Sequence, residues 1–239
     1  MIALLKYNCK TYIKSNKFII PFLILCIFQL LSYNITPVNF TYNMITFANL
    51  IFFIMAYMGF SYCEMQDSVT EQIVFLKVRN NNLYWISKIL FIWVLGIIIS
   101  LIEVILPVVI NILSGGTFFQ SEVTLSEVIL AIVINILVAL MGILLGMIFQ
   151  TKIIGDKNSA VMGITFIALI SVIKGPLVKE FPIAKVITWI LPPVYDIASL
   201  CASLGRFSLS VLSIPIIYGV IYILIVIFIY IKLMKKLLF

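Results

Sequence analysis

The 239-residue chain contains no histidine, and charged residues make up only 10% of it. Without imidazole there is no histidine-dependent zinc site and no Ser/His or Cys/His nucleophilic pair. Acidic residues number nine, and only Glu103 falls within a long apolar run. An intramembrane hydrolase needs a positioned nucleophile and base, or metal ligands, so this composition disfavours one. The four cysteines, Cys9, Cys26, Cys63 and Cys201, are scattered without metal-type spacing, and free thiols are expected. No GxxxxGK[ST] motif occurs, because Gly155-Asp156-Lys157 lacks both the preceding glycine and the following hydroxyl residue. The chain therefore has no phosphate-cradling loop of that type.

What is abundant is apolar length. Hydrophobic residues make up 64% of the chain, and the mean hydropathy is +1.24. Runs of about 20 residues, enough to cross a ~30 Å hydrocarbon core, recur along the whole sequence. They are continuous rather than alternating, which favours helices over barrel strands. The expected fold is an all-α polytopic membrane protein forming a single transmembrane domain over 1–239. Six spans are expected, at 18–33, 44–62, 86–113, 128–149, 160–173 and 209–231. The first and fifth are short, roughly 24 and 21 Å at 1.5 Å per residue. Each should extend into a neighbouring segment or thin the bilayer locally. No small-residue cleavage pattern follows the first run, so a cleavable leader is not expected.

The net charge of +7 is carried by residues flanking the apolar runs. That pattern implies topology signals and contacts with anionic membrane lipid rather than nucleic acid. With the N-terminus in the cytoplasm, twelve of the sixteen Lys and Arg residues fall on the inner side. Both termini are therefore expected to be cytoplasmic. In residues 1–17, Lys6, Lys10, Lys14 and Lys17 recur at helical spacing beside a stripe of Leu5, Cys9, Tyr12 and Ile13. This predicts an amphipathic helix in the membrane interface, with a solvated basic tail as the alternative. Residues 174–208 are expected on the outer side as two short helices. Pro176, Pro182, Pro192 and Pro193 would break that segment, and a plain surface loop is the alternative.

The long polar interruption in the first half runs from Glu64 to Lys88. It opens with Glu64, Asp67 and Glu71, whose spacing allows one helical face. An apolar patch follows, Ile73, Val74, Phe75 and Leu76, and then Lys77, Arg79 and three asparagines. Such a cytoplasmic element is suited to docking a partner, although a solvated helix face gives the same pattern.

Within the spans, Glu103 should face protein or water, as part of a translocation path or as a packing residue. Pro107 removes the hydrogen bond to its carbonyl, and a kink is expected there. The fourth span carries Ala131, Asn135, Ala139, Gly142 and Gly146 on one face. Ser159 and Gly163 open the fifth. Small residues at this spacing allow close helix–helix contact, either inside the chain or between copies, and Asn135 can hydrogen-bond across.

This layout resembles the permease subunits of ABC-2 type exporters. The resemblance covers essentially the whole chain. It is strongest where an acid, Glu64, closes the second span and Ser68–Gln72, Ile73–Leu76, Tyr84, Ile86 and Lys88 lead into the third. Val69 stands where family members often have glycine, and 77–82 replaces a proline-containing turn. The resemblance implies a coupling helix within the loop 63–85 and an ATPase contact through Glu64, Asp67, Glu71 and the 73–76 patch. It implies two copies of a separate ABC ATPase carrying ATP and Mg, and a second permease chain, identical or related. This chain would itself be no enzyme and hold no cofactor. The small size resembles permeases for bacteriocin, lantibiotic or other peptide export and immunity in the plasma membrane of Gram-positive bacteria. Two other functions fit the residues: a gradient-driven transporter using Glu103, and a non-transporting membrane anchor that recruits a soluble partner.

Overall fold

The computed structural model describes residues 1–34, 36–65, 68–78, 81–183, 185 and 188–237. Among them the chain is all-helical. The elements are α1 (Ile2–Lys14), α2 (Ile19–Ser32), α3 (Phe40–Cys63), α4 (Ser68–Lys77), α5 (Asn81–Leu113), α6 (Leu125–Ile148), α7 (Thr151–Ile154), α8 (Lys157–Glu180), α9 (Val194–Leu204) and α10 (Leu209–Lys236). Helices α3, α5, α6, α8 and α10 are long and apolar enough to cross a membrane. A sixth crossing is reached if α1 and α2, bent by 75° at their junction, count as one. The molecule is a multi-pass membrane protein by length and composition.

The centre is the pair α3 and α6. Their apolar windows are 67% and 72% buried, against 17% for α8. The glycines explain the pairing. A Cβ at Gly142 would collide with the Phe52 carbonyl, one at Gly146 with the Ala56 carbonyl, and one at Gly59 would lie 2.5 Å from the Ile143 carbonyl. The two backbones therefore meet directly, which only glycine permits. Of the two contacts the stripe allowed, the one inside the chain is present in this fold. Asn135 lies on the same helix at 1% exposure, beside the small cavity between α3, α6 and α9.

Local chemistry moves several boundaries. The expected start of the fourth span at 128 shifts to Leu125, because Thr124 and Glu127 form a reciprocal capping box. The fifth span does not stop at 173. Helix α8 continues through Pro176 to Glu180, as proline is tolerated where surrounding helices and local adjustment compensate for one lost hydrogen bond. The segment 174–208 therefore does not begin with a separate short helix, although residues 185 and 188 within it are helical. Its first part belongs to α8, and α9 follows, starting after Pro193 and ending at Gly205 in the left-handed region at φ 65°. Lys174 and Asp196 join the two helices at 2.7 Å. Helix α5 likewise runs unbroken past Pro107. Helix α2 remains short, with 14 residues, or about 21 Å.

Helix α1 packs on the bundle through one edge of its apolar stripe. Asn8 and Tyr12 are its buried residues, while Cys9 and Ile13 are exposed. Asn8 Nδ2 donates to the Ser87 carbonyl at 3.4 Å. The Tyr12 ring meets Tyr62 and Phe91 edge-on at 5.9 and 5.7 Å. Specific contacts to α3 and α5 turn Asn8 and Tyr12 inward and leave Cys9 and Ile13 on the outer side of α1.

Candidate functional site: an ionic node beneath an exposed helix

One end of the bundle collects the end of α3, the starts of α5 and α8, the short helices α4 and α7, and the end of α10. Helix α5 has 33 residues, roughly 50 Å of helix against a ~30 Å hydrocarbon core. It therefore exceeds that thickness or tilts through it, and side chains at its start pack with α4.

Glu71 of α4 is the centre of this end. It is 4% exposed, and its Oε1 accepts hydrogen bonds from Lys88 Nζ and, at 3.3 Å, from the Tyr84 hydroxyl. Its Oε2 pairs with Lys152 Nζ. One carboxylate thus ties α4 to α5 and to α7. Lys88 is 2% exposed, and its ammonium lies 4.9 and 5.3 Å from the ring centroids of Tyr84 and Trp85. The ring faces add cation–π attraction in this dry site. Phe75, one helical turn after Glu71, stacks into the same aromatic group, 5.6 Å from Tyr84 and 5.9 Å from Trp85. Trp85 in turn meets Tyr230 of α10 at 6.2 Å.

Glu64 has a different task. It caps the end of α3 and turns onto Thr151, whose backbone N–H and hydroxyl donate to its carboxylate at 2.8 Å. This fixes the α6–α8 connection to the end of α3. Nearby, Lys17 Nζ donates to the Ser61 carbonyl at 3.3 Å. Burial holds the Lys17 ammonium below its ordinary pKa, and the Glu64 carboxylate opposes that shift. Gln150 Nε2 reaches Met234 Sδ at 2.8 Å, adding the end of α10.

The expectation of a single acidic face does not hold. Helix α3 ends at Cys63 and α4 begins at Ser68, so Glu64 and Glu71 belong to different elements and point to different partners. Asp67 lies outside the described residues. The 73–76 patch divides by helical phase. Phe75 is buried and Val74 half-buried, whereas Ile73 is 50% and Leu76 83% exposed. With Lys77 they form the outer face of α4, over the anchored inner face of Glu71 and Phe75.

The other sequence candidates lie elsewhere. Glu103 is buried in the bundle and accepts a 2.9 Å hydrogen bond from Gln29 Nε2 of α2. Ser159 makes no close helix contact within the chain. It is exposed, and its N–H and hydroxyl donate to Asp156, the N-cap of α8, at 2.8 and 2.9 Å. That short carboxylate draws Ser159 into the cap and away from a helix interface. Gly163 does make a close approach, to the Phe149 ring at the end of α6. Among the described residues no cluster of His, Cys, Asp or Glu is suited to a metal ion.

Three partners escaped the sequence reading: Lys88 and Lys152 for Glu71, and Thr151 for Glu64. Only Lys88 left a signal. A lysine set against a long apolar run needs a counter-charge, but nothing in its spacing points to Glu71.

No family model matches the chain, and neither the curated proteins nor the solved structures searched gave a match.

Proposed function

We propose that this chain is the membrane-spanning subunit of an ATP-driven exporter of the ABC-2 type, with α4 as its coupling helix. The carrying observation is the division of α4 into an exposed apolar face, Ile73 and Leu76, and a buried face anchored by Glu71. An 83%-exposed leucine outside the spans suits a pocket on a protein partner. The ionic anchor supplies a stiff connection from that face into the bundle. In this reading a separate ATPase, present in two copies and carrying ATP and Mg, seats Ile73 and Leu76. Its closure moves α4, and Glu71 passes the displacement to α5 through Lys88 and to the α6–α8 connection through Lys152. Helix α5 carries the movement to α2 through the Glu103–Gln29 contact. A second permease chain, identical or related, completes the pathway.

The node end faces the cytoplasm in this proposal, with both termini inside and α1 in the interface. The gathering of Lys17, Lys88, Lys152 and Lys157 at one end supports that orientation by the positive-inside rule. The membrane is the bacterial plasma membrane, and the cargo is a peptide or another amphipathic compound, as for bacteriocin export or immunity. A gradient-driven mechanism asks Glu103 to exchange ions or protons. Its burial against Gln29 favours packing instead.

The test is purification of the full chain from its native membrane, followed by reconstitution with the ATPase recovered alongside it. Ile73→Asp combined with Leu76→Asp should weaken ATPase capture about 30-fold or more, the scale of an interface hot spot. The change should leave thermal stability almost untouched, as expected for exposed sites. Absence of any ATPase partner, or full ATP-driven flux in the double variant, would overturn the proposal. Capture without flux in the native protein would identify an anchor.

A further inference from the structure

The 75° bend between α1 and α2 leaves a wedge between this elbow and the packed faces of α3 and α5. An apolar groove of about 220 Å³ fills the wedge. Cys9 and Ile13 line its α1 end, and Phe22, Met58, Leu95 and Ile102 line its depth. We propose that this groove binds one acyl chain of an anionic phospholipid from the leaflet beside α1.

Three observations carry the assignment. The first is length. The α5 wall of the groove runs from Phe91 to Ile102, which is roughly 16 Å of helix and about half of a ~30 Å hydrocarbon core. The groove therefore matches one leaflet. The second is lining. The wall is built of aliphatic and aromatic side chains from α1, α2, α3 and α5, a surface that favours hydrocarbon over water. The third is charge. Lys6, Lys10 and Lys14 are exposed. Lys6 stands three residues before Cys9 and seven before Ile13, on the same helical face. Lys10 and Lys14 each follow a residue that lines the groove. An apolar floor one leaflet deep, with ammonium groups at its mouth, is complementary to a phospholipid with a negative headgroup. A free phosphate would leave the floor unused.

The inference rests on the proposed interfacial placement of α1, and not on the ATPase. It predicts a lipid held by this subunit at a fixed place, distinct from lipid sliding over the exposed faces of α8 and α10. Occupancy would wedge α1 against α5, whose Ser87 carbonyl is already bonded by Asn8.

The experiment uses the purified full chain in nanodiscs with trace phosphatidylglycerol or phosphatidylcholine bearing a mid-chain photoreactive diazirine. Mass spectrometry then locates the cross-links. Labelling should concentrate on Phe22, Met58, Leu95 and Ile98, above the level on Leu224 and Phe228 of α10. Phosphatidylglycerol should label the groove more strongly, with a preference that falls roughly five-fold for each lysine replaced in Lys6→Gln and Lys10→Gln. Ile98→Trp should abolish groove labelling and leave α10 labelling intact; if that variant fails to fold, the lysine series decides. Even labelling of all lipid-facing helices, or equal labelling by the two lipids, would overturn the site. A Lys10→Cys probe separates the underlying reading. Buried in hydrocarbon, it would overturn the placement of α1 and the site together. At the water face with even labelling, it would leave the placement and remove the site.

Discussion

The two ends of the bundle are held by different chemistry. At the node end, Glu71 and Lys88 are both buried, and their bonds join α4 to α5 and α7. At the opposite end Val38 and the connection 114–124 are pinned by backbone hydrogen bonds, Val38 N–H to the Phe118 carbonyl at 2.9 Å and Gln120 N–H to the Val38 carbonyl at 3.0 Å. Edge-on rings of Tyr33, Phe40, Phe118 and Phe207 surround them. The ion pair there, Lys174–Asp196, is far more open, with Asp196 38% exposed in its side chain. Backbone bonds and ring contacts close a loop without specifying which residues carry charge. A buried ion pair is costly to desolvate and costlier to break. Its presence beneath α4 means that α4 is held in one orientation, with Ile73 and Leu76 outward.

Substitutions can break this contrast, beginning with the most severe. Glu71→Ala leaves Lys88 buried without its counter-charge and should cost about 3–5 kcal/mol, read as a fall in unfolding temperature in detergent. A loss no greater than that of an exposed-site variant would refute the anchoring role. Gly146→Leu, midway between the ends, drives a side chain into the Ala56 carbonyl and should cost at least ~1–3 kcal/mol by overpacking. Because it parts α3 from α6 through sterics alone, the loss should not change with salt. Glu103→Leu leaves the Gln29 amide buried and unpaired, at about 1–3 kcal/mol, whereas Glu103→Gln should cost less. Parallel melting curves of the two variants separate them. Lys174→Met at the opposite end should cost no more than ~1 kcal/mol and be partly masked by salt. If Lys174→Met proved as damaging as Glu71→Ala, the difference between the ends would collapse.

Part of this architecture was legible in the sequence because it follows from local rules. The long apolar runs place α3, α5, α6, α8 and α10, since a span needs only length and hydropathy. The GxxxG at Gly142 and Gly146 marks a close helix contact because absence of Cβ is a local property. Thr124 and Glu127, three residues apart, also mark the start of α6, three residues before the apolar run expected from 128. The course of α8 past Pro176 was not legible. Proline ends a helix in water, but here Gly175 packs on the Tyr195 ring and Lys174 reaches Asp196, contacts supplied by another helix.

The candidate site was half legible. An acidic start, an apolar patch and a basic end between two spans identify 64–82 as a distinct element. Spacing alone placed Glu64 and Glu71 on a common face, because nothing local revealed the break between α3 and α4. The break lets Glu64 turn to Thr151, 87 residues away, and Glu71 to Lys88 and Lys152.

Composition and the length of the apolar runs alone determined that this chain is a bundle of apolar helices without histidine chemistry. Hydrophobic length and residue inventory are additive along a chain and need no partner to be read. Tertiary structure alone decided which glycines touch which helix, which lysines neutralise Glu71, and which half of the 73–76 patch remains exposed. Those outcomes depend on what stands opposite each side chain after folding. Helices distant in sequence supply that opposing surface, and a buried charge accepts only the arrangement that pairs it.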